Sequence, residues 1–179
     1  MNNLNDFAEY LEGLSERMAN DLKTRALLPA AVEGAAIISQ RISSGEASDG
    51  TKIGDYSKDK IYVGLASFKG FESKFRPKQG KKTMKFEQGY SEFRSFVGRQ
   101  NNYVDLNLSG SMHKSFRGVL YGSDAIIALF GQDSIDKAEG NEKRFKKDIL
   151  RPSADDIEII KNVMTNQIML LFKRANIKR

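Results

Sequence analysis

The sequence predicts an α+β fold: a small, mainly antiparallel β-sheet packed by N-terminal and C-terminal helices, with long loops. Three observations lead to this class. Apolar residues recur at three- and four-residue steps at both ends of the chain, as in amphipathic helices. Residues 103–108 alternate strictly between apolar and polar side chains, as in a half-buried strand. Gly122-Ser123-Asp124 separates two apolar runs, as in a β-hairpin.

The N-terminal part predicts two helices followed by a loop. The first helix carries one apolar stripe, formed by Leu4, Phe7, Leu11, Leu14, Met18 and Leu22. The second begins near Pro29 and ends at Ser43-Ser44-Gly45, and its small apolar side chains are expected to let another element approach closely. Residues 45–60, with three Gly and many polar residues, predict a long surface loop.

The middle of the chain predicts short strands and turns. Residues 61–63 and 90–97 have β-like composition, and residues 77–85 resemble a mobile hairpin tip or an unfolded loop. The sheet is expected to contain residues 103–108, 116–121 and 125–130, with one helical turn at 112–116. Residues 133–148 predict a loosely held helix with Ala138 nearly alone as its apolar anchor.

The predicted strand 103–108 also implies a face assignment. Adjacent strand residues point to opposite sides, so Leu106 is expected to share a buried face with Val104 and Leu108. On this interpretation Leu106→Asp should unfold or aggregate the protein, whereas Asp105→Ala should be mild.

The final helix is predicted from an N-cap and two apolar stripes. Ser153 is the expected N-cap, with Asp155 and Asp156 in the first turn. One stripe consists of Ile157, Ile160, Met164, Ile168 and Leu171. The second consists of Ile159, Val163 and Leu170. A helix that is apolar over so wide an arc is either deeply buried or shared with another subunit, so the second stripe is the candidate oligomer interface.

Length and composition indicate one domain of 179 residues, with a helical part (1–44), a loop-rich basic arm (45–102) and a part with the sheet and last helix (103–179). The N-terminal residues lack the features of a secretion signal, and no apolar run approaches the roughly 18 residues of a membrane span. We therefore expect a soluble protein made in a cytoplasm.

The charge is concentrated in residues 56–100. This segment holds eleven Lys or Arg against four Asp or Glu, a net of +7 in a chain whose formal net charge is +6. Its aromatic residues alternate with basic ones, as in single-strand binders or in core-facing segments between solvated lysines. Eight basic residues are the candidate contacts with a partner or with DNA: Lys74, Arg76, Lys78, Lys81, Lys82, Lys85, Arg94 and Arg99.

No residue pattern indicates catalysis, a cofactor or a metal. The chain has no Cys, which excludes a thiolate zinc site and a cysteine nucleophile, and it has one His. His113 lies beside two serines but lacks the surroundings of a nucleophile elbow, so a surface or capping role is expected. QGKKT (79–83) lacks the first Gly of a phosphate-binding loop.

One combination of motifs resembles a known family. It joins Gly45, Asp49-Gly50 and Tyr56-Ser57 to the run VDLNLSGSMHKSF (104–116), a strand pair, and Ile149-Leu150-Arg151-Pro152-Ser153 before the final helix. This looks like the neck and tail-completion proteins of tailed bacteriophages, also called virion-morphogenesis proteins. The resemblance spans roughly residues 45–175.

The resemblance implies a structural virion protein rather than an enzyme. Such a protein forms a ring of identical subunits at the head–tail junction or tail end, and contacts connector or portal-side and tail-tube proteins. It is made in the bacterial host cytoplasm, needs no membrane or cofactor, and surrounds a passage for packaged DNA.

Three alternatives stay open at this point. The basic segment 56–100 also fits a sequence-independent nucleic-acid-binding protein, whose affinity would fall steeply with salt. The chain also fits an ordinary monomer with a solvated basic surface. An enzyme whose site has no sequence signature is the third.

Overall fold

The computed structural model describes residues 4–107 and 110–177, and the side chains of residues 9–107 and 110–174. It confirms an α+β fold with helices at both ends, but the strands form two separate two-stranded antiparallel sheets. The chain divides into two compact units, neither continuous in sequence. Unit 1 comprises Met1–Ile38, Phe116–Phe130 and Pro152–Arg179, and unit 2 comprises Ser39–Ser115 and Gly131–Arg151.

The helices of unit 1 confirm both terminal predictions. Helix α1 (Leu4–Leu22) continues through a π-helical turn (Lys23–Leu27) into α2 (Leu28–Ser43), which passes into unit 2 after Ile38. Helix α6 occupies Ala154–Ile177. Ser153 is its N-cap: the Ser153 Oγ accepts the Asp156 N–H at 3.0 Å, and the Asp156 carboxylate accepts the Ser153 N–H at 2.9 Å.

Small residues let the elements of unit 1 pack closely. Strands β3 (Phe116–Tyr121) and β4 (Asp124–Leu129) form the predicted hairpin, with Tyr121 paired to Asp124 around a turn in which Gly122 has a φ of 60°. A Cβ at Gly34 in α2 would lie 2.6 Å from Ile127 and 2.7 Å from Ile160. The expected close approach to the second helix is therefore confirmed.

In unit 2 the basic segment has its own apolar core. Strands β1 (Ile61–Gly64) and β2 (Thr83–Phe86) pair antiparallel, and helix α3 (Gly89–Phe96) packs beside them. Two 3₁₀ turns, Leu65–Phe68 and Glu72–Lys74, connect the strands. The buried cluster consists of Val63, Phe68, Phe86, Phe93 and Val97. This core makes residues 56–100 largely a folded element rather than a loose arm.

Two strand predictions in this region are wrong. Residues 90–97 are helical to Phe96, because Tyr90, Phe93 and Val97 recur at helical spacing and face the cluster. Residues 103–107 form no strand, and Leu108 lies outside the described residues. Their alternation has no pairing partner among the described strands, and Leu106 adopts a φ of 52°, in the left-handed region.

The predicted surface loop 45–60 is irregular but is not superficial. Ala47, Ile53 and Tyr56 are buried. Arg41, at the end of α2, ties this loop to a distant segment: its guanidinium donates to the Glu46 carbonyl at 2.9 Å and to the Ile149 carbonyl at 3.0 Å. Side chains from outside the loop therefore hold it, despite its polar composition.

Two short-range predictions in unit 2 hold. Helix α4 (Ser111–Ser115) is the expected helical turn, and α5 (Gln132–Phe145) is the expected charged helix. Ala138 is buried, as its isolated apolar character predicted. Residues 78–83, at the connection into β2, are all exposed, whereas Phe86 at the end of β2 is buried. The predicted hairpin tip is thus confined to the first part of 77–85.

Candidate functional site

The predicted basic contacts separate into seven exposed residues and one buried residue. Lys74, Arg76, Lys78, Lys81, Lys82, Lys85 and Arg99 are exposed. Four of them lie in residues 76–82, which we call the basic loop, and this stretch contains no acid. A turn with Gly80 at a φ of 73° brings the Lys81 N–H to the Lys78 carbonyl at 2.9 Å. The basic loop thus offers a dense positive charge to solvent or to a partner.

Arg94 does not belong to that surface, because it is only 1% exposed and is bound on three sides. Its guanidinium pairs with the Asp105 carboxylate at 2.9 Å and donates to the carbonyls of Gln100 at 2.7 Å and Asn107 at 3.0 Å. It also lies 4.5 Å from the centre of the Tyr56 ring. A charge counted as a contact in the sequence is therefore part of the interior of unit 2.

Through Asp105 this buried network also includes the Tyr56 hydroxyl, His113 and Ser39. The Tyr56 hydroxyl donates to the Asp105 carboxylate at 2.7 Å and accepts the Asp105 N–H at 3.1 Å. Burial is the main cause of a pKa of Tyr56 well above its ordinary value. His113 Nε2 donates to the Asp105 carbonyl at 3.2 Å, so its Nδ1 accepts from the Ser39 hydroxyl at 2.8 Å.

The face assignment for residues 104–106 is therefore wrong in part. Val104 is fully buried, as expected, but Asp105 is buried as well, and Leu106 is only half-buried. A carboxylate is tolerated in the interior when it is paired and hydrogen-bonded. Tyr56 and Arg94 supply those partners from 49 and 11 residues away. The alternation of apolar and polar residues at 103–108 carries no information about these two partners.

A cavity beside this network is too small for a typical ligand. Its volume is about 140 Å³, and Tyr56, Tyr90, Leu106 and Phe145 form part of its wall. Pockets that hold small molecules are usually about 300–1,000 Å³. A second cavity, of about 480 Å³ and lined in part by Asp55, Tyr56 and Lys58, falls within that range. The contacts of Arg94, Asp105 and Tyr56 themselves join segments of unit 2.

Three aromatic residues of the basic segment, Phe68, Phe86 and Phe93, face the interior and contact one another. Phe68 and Phe93 meet edge to face with ring centres 5.1 Å apart, and Phe86 and Phe93 with centres 5.4 Å apart. All three rings are buried. Of the two explanations for the alternating aromatic and basic residues, core-facing aromatics between solvated lysines therefore apply to these three.

The candidate oligomer interface on α6 is exposed in the single chain. Ile159 and Leu170 are each 44% exposed, and Val163 is half-buried between them. We call these three residues the α6 stripe. The other apolar stripe of this helix includes Ile160, which packs toward Gly34 in the same unit. Ile160 thus packs within unit 1, whereas Ile159 and Leu170 of the α6 stripe remain partly exposed, as does Ile157 of the other stripe at 41%.

A second partly exposed stripe lies on α1, where the sequence predicted an apolar stripe; the side chains of its first two predicted members, Leu4 and Phe7, lie outside the described ones. It consists of Leu11, Leu14, Met18 and Leu22, which we call the α1 stripe; Met18 is 58% exposed. Among residues 9–22 no side chain is buried. Helices in proteins owe most of their stability to packing of an apolar face, and α1 buries little of this stripe among the described side chains, although it contacts α6. The spacing was visible in the sequence, whereas the exposure was not.

Other classes of site have no counterpart in the described part of the chain. No group of three or more His, Asp or Glu among residues 4–107 and 110–177 is placed to hold a metal ion. No helix in those same residues is long and apolar enough to cross a membrane.

Comparison with protein-family models, with curated proteins and with solved structures finds no match to this chain.

Proposed function

We propose that the chain is a structural subunit of a tailed-phage virion that forms a ring at the head–tail junction or tail end and joins the connector to the tail. The observation that carries the proposal is the partial exposure of two apolar stripes, on α1 and α6, whose side chains are 38–58% exposed apart from the half-buried Val163. Exposed apolar patches of this kind mark surfaces that other protein surfaces cover. The motif resemblance in residues 45–175 supplies the virion context.

In this proposal, assembly into a ring requires two different subunit surfaces and no catalytic group. A subunit of a closed ring needs two different surfaces, one for each neighbour. Two stripes on separate helices satisfy that requirement without any catalytic group. In this proposal the ring is homo-oligomeric, its neighbours are portal-side and tail-tube proteins, and the seven exposed basic residues face either those proteins or the passage for DNA.

The double variant Ile159→Lys/Leu170→Lys tests the proposal. Both side chains are substantially exposed, so their replacement should leave the thermal melt of the purified chain nearly unchanged. Placing two charges in an apolar subunit contact should abolish rings of the purified chain. It should also reduce the number of joined particles when the variant is supplied to a phage that lacks the gene for this protein. Electron microscopy counts the rings and the joined particles.

A matched control for this variant is Glu158→Lys/Lys161→Glu, which exchanges two exposed charges on the same helix and keeps its net charge. The control should form rings and joined particles. Wild-type counts from Ile159→Lys/Leu170→Lys, or particles that assemble normally without the protein, would contradict the proposed role.

A second candidate function, sequence-independent nucleic-acid binding, rests on the exposure of the basic loop and Lys85. Replacing Lys78, Lys81, Lys82 and Lys85 by Ala removes four charges from exposed positions, and only Lys85 has an ion-pair partner that the structure gives, namely Glu87. If the surface binds phosphates, the variant should bind duplex DNA more weakly and with a shallower salt dependence.

The melt of this four-lysine variant should stay close to that of the wild type, because exposed substitutions usually change stability by less than about 0.5 kcal/mol. In the virion its expected effect is impaired joining of heads to tails or leakage of packaged DNA. Unchanged DNA binding, unchanged joining and an unchanged melt together would make these lysines a solvated surface only.

A further inference from the structure

The small sheet of unit 2 has one face on the aromatic core and one face away from it. The side chains that contact the core belong to Ile61, Val63, Met84 and Phe86. Adjacent strand residues point to opposite sides, so the other face, which we call the outer face, consists of Tyr62, Gly64, Thr83 and Lys85. Tyr62 is 62% exposed, and Lys85 lies directly across from it. At Gly64, the next position on this face, a Cβ would meet only the Lys82 carbonyl, at 3.9 Å. The Tyr62 ring is thus open to solvent.

The chain that forms and precedes β2 is strongly positive. Residues 74–85 carry six charged side chains, all of them Lys or Arg and all exposed: Lys74, Arg76, Lys78, Lys81, Lys82 and Lys85. Over residues 58–87, which include both strands, nine basic residues stand against Asp59, Glu72 and Glu87. Glu87 pairs with Lys85, and both side chains are exposed. Exposed ion pairs contribute little to stability, so a phosphate can replace Glu87 as the partner of Lys85.

A second exposed tyrosine shows what distinguishes Tyr62. Tyr121, on β3 of unit 1, is 73% exposed, but the residue directly across from it is Asp124. A carboxylate beside the ring repels phosphate, whereas the Lys85 ammonium attracts it. Exposure of a ring does not by itself select a partner. The combination of an open ring with a cross-strand cation and a continuous run of cations is what selects a nucleic acid.

We infer that the outer face binds single-stranded nucleic acid, with a base stacked on Tyr62 and the neighbouring phosphates on Lys85 and the basic loop. Directly opposed residues of an antiparallel pair have Cβ atoms about 5 Å apart, so the ring and the ammonium meet adjacent parts of one strand. Stacking on a side chain requires a base that is free of its own duplex, and it tolerates any sequence because every base has a flat face. The inference rests on the second candidate function, nucleic-acid binding, and is independent of the ring.

The test compares three labelled probes: a thymidine oligomer, an abasic strand of the same length and a duplex of the same length. Each is titrated with the full-length chain at low salt and followed by fluorescence anisotropy. The abasic strand presents the same phosphates without bases. The wild type should therefore bind the thymidine oligomer more tightly than the abasic strand, by about 5- to 150-fold, the factor that stacking of one base supplies.

Substitutions at Tyr62 should act on the thymidine oligomer alone. Tyr62→Ala and Tyr62→Leu should lower its affinity to that of the abasic strand and leave the abasic strand and the duplex unaffected, because the cations remain. Tyr62→Phe keeps the ring and should bind as the wild type does. Since Tyr62 is exposed, the thermal melts of these variants should match that of the wild type.

The matched control is Tyr121→Ala, which removes an exposed ring that faces Asp124 and should leave all three affinities unchanged. The four-lysine variant should instead weaken the binding of all three probes and reduce the salt dependence, because every probe carries phosphates. An acidic protein surface would use the same cations without the ring, so dependence of binding on Tyr62 and on the bases distinguishes the two partners.

Equal affinity of the wild type for the thymidine and abasic strands would overturn the stacking site and leave salt-dependent nucleic-acid binding in place. Unchanged binding of the thymidine oligomer by Tyr62→Ala would do the same. The first comparison uses the wild type alone, so it decides the matter even if a variant unfolds. Failure to bind any probe would overturn both the inference and the second candidate function. The virion role is decided separately, by the particle counts for Ile159→Lys/Leu170→Lys.

Discussion

Asp105→Ala is expected to lower the free energy of unfolding by about 3–5 kcal/mol, because it leaves the Arg94 guanidinium buried without its counter-charge. The substitution also removes the acceptor for the Tyr56 hydroxyl and for the Asn107 N–H, which the Asp105 carboxylate binds at 2.7 Å and 2.9 Å. Loss of several kcal/mol is a large share of the stability of a small domain. Urea denaturation at neutral pH, followed by circular dichroism, measures it.

The control for this prediction is Asp59→Ala, an exposed carboxylate in the same unit, which should change stability by less than about 0.5 kcal/mol. Replacing both partners, as Arg94→Met/Asp105→Leu, should cost less than the sum of the two single changes, because no unpaired charge remains. Equal midpoints for Asp105→Ala and Asp59→Ala would mean that the network does not hold unit 2 together.

Gly118→Ala is expected to lower the free energy of unfolding by about 1–3 kcal/mol or more, because β3 lies directly against the backbone of α2. A Cβ at Gly118 would fall well inside the van der Waals distance of backbone atoms of Ala31 and Val32. Backbone atoms within a helix cannot rotate away, so the hairpin would have to move. Thermal melting of the variant measures the loss.

Two glycine replacements separate this clash from a general effect of Gly→Ala. At Gly140, in the interior of α5, a Cβ would have no neighbour within 4 Å, so Gly140→Ala should stabilise the protein by about 0.5–1 kcal/mol. Gly34→Ala meets only the ends of Ile127 and Ile160 side chains, which can shift, so its cost should be smaller than that of Gly118→Ala. A larger loss of stability for Gly34→Ala than for Gly118→Ala would contradict the packing of unit 1.

Periodic patterns long enough to average over several turns were predicted well. The stripes of α1 and α6, the Ser153 N-cap and the β3–β4 hairpin all appear in the structure. Each depends on residues within a few positions of one another, and its geometry is a property of the local backbone. For the same reason the candidate interface residues Ile159, Val163 and Leu170 could be listed from the sequence.

Shorter patterns were predicted badly. The six-residue alternation at 103–108 predicted a strand, but a strand needs a partner to satisfy its backbone hydrogen bonds, and the pairing of the described strands does not include this segment. At 90–97 the helical spacing of Tyr90, Phe93 and Val97 competed with a β-like composition, and burial against Phe68 and Phe86 favoured the helix.

The sequence by itself determined the α+β class, the terminal helices with their apolar stripes, and the excess of positive charge in residues 56–100. Only the tertiary structure decided which of these side chains a partner could reach: it buries Arg94 against Asp105 and leaves the α1 and α6 stripes partly exposed. The physical reason is that periodicity and charge count depend on neighbouring residues. Burial depends on side chains such as Tyr56 and Asp105, which are 49 positions apart in the chain and 2.7 Å apart in space.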